Sequence, residues 1–337
     1  DDADVPDDQL VQIEAGAEIS CAMYGDGRVF CWGLNEEGLL NVDSGIEELP
    51  FPTQVNDLPA AKELKLGWTY ACIVSVDDEA WCWGENWGAQ SGVDNTEVIA
   101  PTKIPVDKVA MLRTGFRGGC VLSEDRLTVI CWGEAPDPKS FETPVVDFDV
   151  GDEHACAIIE GGKVRCWGSD QYDRTGLDDP IREMSDAKQI SAGLQHTCAL
   201  KTDGTVWCWG DNGERQLGRP LDDPDRSGLP VQAEGVSGVV EVYAEAIHTC
   251  ARYEDGSLEC WGGFAGWDIY EYRDSEYREP TLIFPFTSGV VDFDTGRTHN
   301  CVLKDDGKAY CWGNNEDSQL GNESAGFREE DAVEVIF

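Results

Sequence analysis

The chain is poor in basic residues. It has 25 Lys and Arg against 66 Asp and Glu in 337 residues, a net charge of −41 and an isoelectric point near 4.1. Phosphate backbones are held by clustered Lys and Arg, so nucleic acid is excluded as a partner, and anionic membrane surfaces with it. Long apolar runs are missing too. None approaches the roughly 20 residues that a membrane-spanning helix needs, which argues against membrane insertion. The sequence holds no C-x-x-C pair, no Gly-rich phosphate loop and no nucleophile elbow, so zinc-ribbon, nucleotide-hydrolysing and α/β-hydrolase chemistries lose their usual signatures. Helix signals are weak, and no linker or low-complexity stretch divides the chain. No signal-peptide pattern is expected in a mature chain, which would have lost one. The acidic opening DDADVPDD reads as a solvated tail over residues 1–8 left after processing.

What the chain has is cysteine in a fixed pattern. The fourteen form the pairs Cys21/Cys31, Cys72/Cys82, Cys120/Cys131, Cys156/Cys166, Cys198/Cys208, Cys250/Cys260 and Cys301/Cys311, with none left over. In HTCALKTDGTVWCWG (196–210) the two cysteines are symmetric about a Thr-Asp-Gly turn. A three-residue loop with Gly204 in the left-handed region makes Lys201 and Thr205 the first hydrogen-bonded pair. Cys198 and Cys208 then fall opposite each other on a non-hydrogen-bonded pair, where α-carbons lie about 4.5 Å apart, within the reach of a disulfide. The spacing predicts one cross-strand disulfide per repeat. Gly27, Gly162, Gly256 and Gly307 hold the same turn position and Asp78 replaces it in the second repeat. The third repeat has one residue more and no glycine, and a different turn is expected there. Seven such disulfides imply an oxidising compartment, so a secreted, extracellular or cell-surface location is expected.

The second cysteines lie 51, 49, 35, 42, 52 and 51 residues apart. Each repeat reads as an alternating strand ending at or near glycine, the stapled hairpin, a polar turn and a short strand such as FPTQV (51–55) or PTKIPV (101–106). Four short strands at a period of about 50 residues read as a propeller blade. Leu200 and Val206 share the disulfide face, while Ala199, Trp207 and Trp209 take the other, as a blade flanked on both sides requires. The expected architecture is all-β, a single propeller over residues 9–337.

AGLQHTCALKTDGTVWCWGDNGERQLG (192–218), with close copies at 295–321 and 66–92, resembles the repeat of the regulator of chromosome condensation family, RCC1. The resemblance covers nearly the whole chain and implies a seven-bladed propeller. The paired cysteines look like those of secreted bacterial members. Repeats three and six depart after their Trp-Gly, at EAPDPKS (134–140) and GFAGWDIYEY (263–272). The family's nuclear founder acts on a small GTPase and docks on chromatin. Neither role fits so acidic and oxidised a chain.

The histidines, His154, His196, His248 and His299, each stand two residues before a first cysteine. Equivalent positions on successive blades are spread around a ring, so they read as structural residues bonding to backbone between blades, not as a metal site or a catalytic base. No cofactor is expected. DDPDRSG (222–228) lacks calcium-loop spacing, and calcium stays a secondary reading. Asn322-Glu323-Ser324 is a glycosylation sequon of the kind a chain of this length carries by chance. Seven of the twelve tryptophans are the repeat Trp-Gly. GWTY (67–70) is similar to a segment of a plant photoreceptor family on this propeller, but the oxidising chemistry argues for another setting.

No catalytic residue is expected. The leading expectation is a non-catalytic binding module taking a protein or glycan through propeller loops. The alternatives are a secreted enzyme inhibitor resembling the propeller-type β-lactamase inhibitor protein and a polysaccharide-acting enzyme. The expected binding residues are Phe264, Trp267, Tyr270, Tyr272 and Tyr277, in an aromatic and acidic loop over 263–280, with Trp87 and Tyr172 in the corresponding turns of blades two and four. AVEVIF (332–337) is expected to close the ring by pairing in the blade that holds residues 9–15, pairing beside 308–313 being the alternative.

Overall fold

The computed structural model describes residues 6–36, 40–41, 46–93, 98–173, 175, 181, 184–219, 224–263, 281–282 and 288–337. Each repeat folds as its own antiparallel sheet, with strands in sequence order. Blade five runs Ala187–Ala192, His196–Lys201, Val206–Asp211 and Arg226–Gln232, from first strand to fourth. Blade one has Leu10–Ala15, Ile19–Tyr24, Val29–Leu34 and Glu48–Gln54, and blade seven has Val290–Thr295, His299–Lys304, Ala309–Asn314 and Arg328–Glu334. The fold is an all-β, seven-bladed β-propeller with one disulfide per blade. The chain divides into two compact units, residues 1–121 with 290–337 and residues 122–289.

The hairpin follows the turn chemistry. Lys201 N donates to Thr205 O and Gly204 N to Lys201 O, both at 3.0 Å. Leu200 faces Val206 and Cys198 faces Cys208. In the six pairs with ten-residue spacing the α-carbons are 4.0–4.2 Å apart. Gly27, Gly162, Gly204, Gly256 and Gly307 all have φ between 73° and 83°, and Asp78 takes the same role at 63°. In the third repeat Arg126 supplies the left-handed residue at φ 59°.

The two faces of a blade separate as the alternation predicts. In the second compact unit, Cys156, Ile158 and Val164 from the disulfide face of blade four pack with Ile190, Ala199 and Trp209 of blade five. Cys198, Leu200, Val206 and Cys208 of blade five pack in turn with Val242, Ala251 and Trp261 of blade six. Trp209 and Trp261 therefore each cover the disulfide of the preceding blade. Burying such a side chain contributes about 1.5–3 kcal/mol.

A first strand has one free edge, and unpaired edge groups are costly when buried. The preceding blade supplies the partners from a bulge in its own first strand. Asp292 Oδ2 accepts from Ile13 N at 2.7 Å and Asp294 Oδ2 from Ala15 N at 2.8 Å. Gln12 both donates to Leu64 O (2.7 Å) and accepts from Leu64 N (3.0 Å). Asp147 and Asp149 do the same for Ile190 N and Ala192 N, each at 2.9 Å. These four carboxylates, Asp147 buried and the others half-buried, are thus structural.

Glycine is required where successive first strands end. A Cβ on Gly296 would lie 1.9 Å from Gly16 O, the atom that accepts from Arg297 N. We expect Gly296→Ala to push blades seven and one apart locally and to lower stability by about 2–4 kcal/mol in denaturant titrations.

The last strand corrects an expectation. Arg328–Glu334 pairs with Ala309–Asn314 of its own blade, Val333 facing Cys311 and Glu334 facing Tyr310. Each of the two terminal blades is therefore built from continuous chain. Blade one is still touched by this segment, because the Phe337 ring lies 5.9 Å from both Tyr24 and Trp32, edge-on. Asn322 of the sequon donates to Glu334 O at 2.8 Å and accepts from Ser324, forming part of the same turn.

Candidate recognition face

The repeated polar residues are used up between and within blades. Asn212 Oδ1 accepts from Leu217 N (3.2 Å), its amide donates to Pro224 O (3.0 Å), and Gln216 Oε1 accepts from Glu214 N (2.9 Å). This clip aims Gln216 O at blade six, where it accepts from Trp261 Nε1 (3.0 Å) and Thr249 Oγ1 (2.8 Å). The Thr249 hydroxyl proton is thereby committed, so the hydroxyl accepts from His196 Nε2–H at 2.9 Å. The same chain joins blades seven and one. Gln319 O accepts from Trp32 Nε1 and Ser20 Oγ, both at 2.9 Å, and Ser20 Oγ accepts from His299 Nε2–H at 2.6 Å. His154 Nε2 meets Thr197 Oγ1 at 2.8 Å. His154, His196 and His299 bond hydroxyls of the next blade, and His196 also has the backbone contact expected from sequence, at His248. Burial holds His196 and His299 down at about 3 and His248 at about 4.

Strand order places the turn after the first strand and the loop after the third at one end of each blade. In the first compact unit this end carries aromatic and cationic side chains together. Trp68 follows the first strand of blade two, Phe116 and Arg117 that of blade three, and Arg297 that of blade seven. The Arg297 guanidinium lies 4.6 Å from the Trp68 ring centroid, Phe116 meets Trp68 edge-on, and Arg117 lies 5.2 Å from Phe116. Such cation–π contacts contribute about 0.5–1 kcal/mol each when exposed. Around them stand carboxylates. Glu18 is raised above the usual carboxylate range by burial first and then by Asp317, against the opposing pull of Arg297. Asp317 is raised by burial and by Glu48. Trp87 is 65% exposed and Phe327 80% exposed, both in loops after third strands.

Of the residues expected from sequence, Trp87 is exposed at this end of blade two. Tyr172 occupies the corresponding turn of blade four, half-buried and at φ 68°. Phe264, Trp267, Tyr270, Tyr272 and Tyr277 lie outside the described residues. Sequence reasoning missed Phe116, Arg117, Arg297 and Phe327. The signal was available as the position following the first-strand glycine in each repeat, which reads Trp68, Phe116 and Arg297 in repeats two, three and seven.

At the other end of blade six an open hollow is lined by Tyr253, Glu254, Asp255, Ser257 and Glu259. Asp255 accepts from Ser257 N (3.0 Å) and Oγ (2.7 Å), and Glu259 accepts from the Tyr253 hydroxyl (2.5 Å). A glycosidase needs one carboxyl free to donate and one free to attack or activate water. Asp255 and Glu259 are held in place by these bonds, and Glu254 lines the hollow beside them.

The model of the regulator of chromosome condensation (RCC1) repeat matches residues 10–39, 145–174, 187–216 and 290–319, and a second RCC1 repeat model matches 203–252. The chain is an RCC1-repeat protein. Its RCC1 repeats are 26% identical over 357 residues to the human E3 ubiquitin-protein ligase HERC2, an alignment covering 94% of this chain and 7% of that protein. The chain thus spans a small part of that relative. Among solved structures, Prp20p from Saccharomyces cerevisiae, studied for its binding to Gsp1p and histones, superposes with a TM-score of 0.77 at 21% identity, over 98% of this chain and 87% of that one. The ectodomain of the Physcomitrella patens receptor kinase CR4 gives a TM-score of 0.60 at 18% identity, over 90% and 74%. At these identities the structures share the fold.

Proposed function

We propose that this RCC1-repeat propeller is a non-catalytic binding module of an oxidising, extracellular compartment. It takes a protein or glycan ligand at the end of the blades where the first-strand turns and third-strand loops emerge. The observation that carries this reading is the contrast between the two sets of side chains. Repeat-encoded histidines, glutamines and inter-blade carboxylates are bonded into the fold, whereas Trp87 and Phe327 stand exposed at the blade end that also carries the Trp68–Arg297 pair. Tyr, Trp and Arg dominate recognition hot spots because they give large contact area at low entropy cost. The disulfides support the compartment, since intracellular thiols are kept reduced. For that reason the binding of Prp20p to Gsp1p and histones is not carried over.

The test is Trp87→Ser combined with Phe327→Ser, both at exposed positions where the fold tolerates change. The immobilised chain is presented to the extracellular fraction of its source and to a glycan array. A ligand retained by the parent chain should bind the double variant about tenfold or more weakly, the scale of one hot-spot loss. Equal retention would remove the proposed face.

A further inference from the structure

In five blades the third-strand cysteine lies under a fourth strand. Cys31 faces Thr53, Cys82 faces Thr102, Cys208 faces Val231, Cys260 faces Thr281 and Cys311 faces Val333. All five are at most 1% exposed. Blades three and four differ. The fourth strand of blade three is Lys139–Ser140, which pairs with Val129 and Thr128 and stops before reaching Cys131. Continued pairing would set Pro138 opposite Ile130 and Asp137 opposite Cys131. Proline has no N–H to continue a ladder, and Asp137 O is turned instead to Trp167 Nε1 of blade four at 2.9 Å. In blade four the described residues form three strands, Val145–Val150, His154–Ile159 and Lys163–Gly168. Cys131 and Cys166 are half-buried, whereas their partners Cys120 and Cys156 are fully buried.

We infer that the disulfides of blades three and four are thiol-exchange sites, open to an external dithiol under conditions where the other five stay closed. Exchange depends on access to the attacked sulfur as well as on thiolate character. A thiolate of the dithiol attacks Sγ of Cys131 or Cys166. The cystine S–S bond breaks, and Cys120 or Cys156 leaves as a thiolate and takes a proton. The second thiol of the reagent then displaces the protein cysteine from the mixed disulfide, closing the reagent's own disulfide. Two electrons and two protons pass from reagent to protein for each pair. The short fourth strand of blade three and the partial exposure of Cys131 and Cys166 thus make two neighbouring blades the redox-sensitive part of an otherwise closed set of staples.

The folded chain is incubated with dithiothreitol without denaturant, quenched with iodoacetamide at intervals and mapped by peptide mass. Labelling at Cys120, Cys131, Cys156 and Cys166 should rise at least about tenfold faster than at the other ten cysteines, with the far-ultraviolet circular dichroism unchanged meanwhile. Labelling of all fourteen together, earlier labelling in another blade, or loss of the dichroism in step with labelling would each overturn the inference.

Discussion

Truncation after Asp331 should lower the melting temperature by roughly 4–7 °C, the shift expected for a loss of about 3–5 kcal/mol in a chain of this size. The segment removed does three things. It completes the ladder of blade seven through Val333 and Glu334. It donates Val335 N to Ala309 O at 2.9 Å and Ile336 N to Gly321 O at 3.1 Å. It seats Val335, 4% exposed, in the core cluster shared with blade one, and sets the Phe337 ring against Tyr24 and Trp32. Full burial of a valine contributes about 1.5 kcal/mol or more, and each backbone hydrogen bond about 1 kcal/mol net. The disulfide Cys301–Cys311 remains and keeps the hairpin beneath intact, so the loss should stay short of unfolding. Phe337→Ala alone should cost about 1 kcal/mol, because the ring is 47% exposed. Differential scanning calorimetry of both variants checks the pair. An unchanged melt for the truncation would show that the blade seven edge needs no cover.

The staples were legible in the sequence because both cysteines and the turn between them lie within eleven or twelve residues. A local separation leaves one antiparallel register that satisfies Gly204 and pairs Cys198 with Cys208. Blade faces were legible for the same reason, since alternation needs no knowledge of distant residues. The phase of the repeat was not. A periodic sequence can be cut into blades at any strand boundary, so 332–337 fitted either terminal blade by composition, and only the observed pairing decides. The histidine partners were half legible. The repeat places Ser or Thr directly after the histidine position at Ser20, Thr197 and Thr249. That these hydroxyls meet the preceding blade's histidine follows from packing between blades, where partners are 43 to 279 residues apart. The recognition face suffered most. Trp68 and Arg297 meet across a sequence distance that no local pattern spans.

Acidification should destabilise the protein well before its carboxylates titrate as a group. His196, His248 and His299 are fully buried, and burial disfavours the imidazolium. The bonding agrees with this for His196 and His299, whose Nε2–H already donates to a hydroxyl whose own proton is committed to a carbonyl. Their folded values, about 3 to 4, lie below the ordinary value of 6.5. A depressed folded value means that the unfolded chain takes up the proton first. The stabilisation is therefore complete above pH 6.5 and is lost as pH falls toward the folded values. Each histidine contributes a slope of about 1.4 kcal/mol per pH unit in that window, or about 2 kcal/mol by pH 5. Three together give a loss at pH 5 comparable to the whole stability of an ordinary domain, about 5–15 kcal/mol. Glu18 and Asp317, held above the usual range mainly by burial, act in the opposite sense, because protonating them relieves that penalty in the folded state. Guanidinium titrations at pH 7 and pH 5 check the slope. His196→Gln keeps an amide donor for Thr249 and removes one titrating group, so it should lower stability at pH 7 and reduce the pH 7 to pH 5 difference by about a third. A variant with the parent's full pH difference would show that the histidines are not the groups responsible.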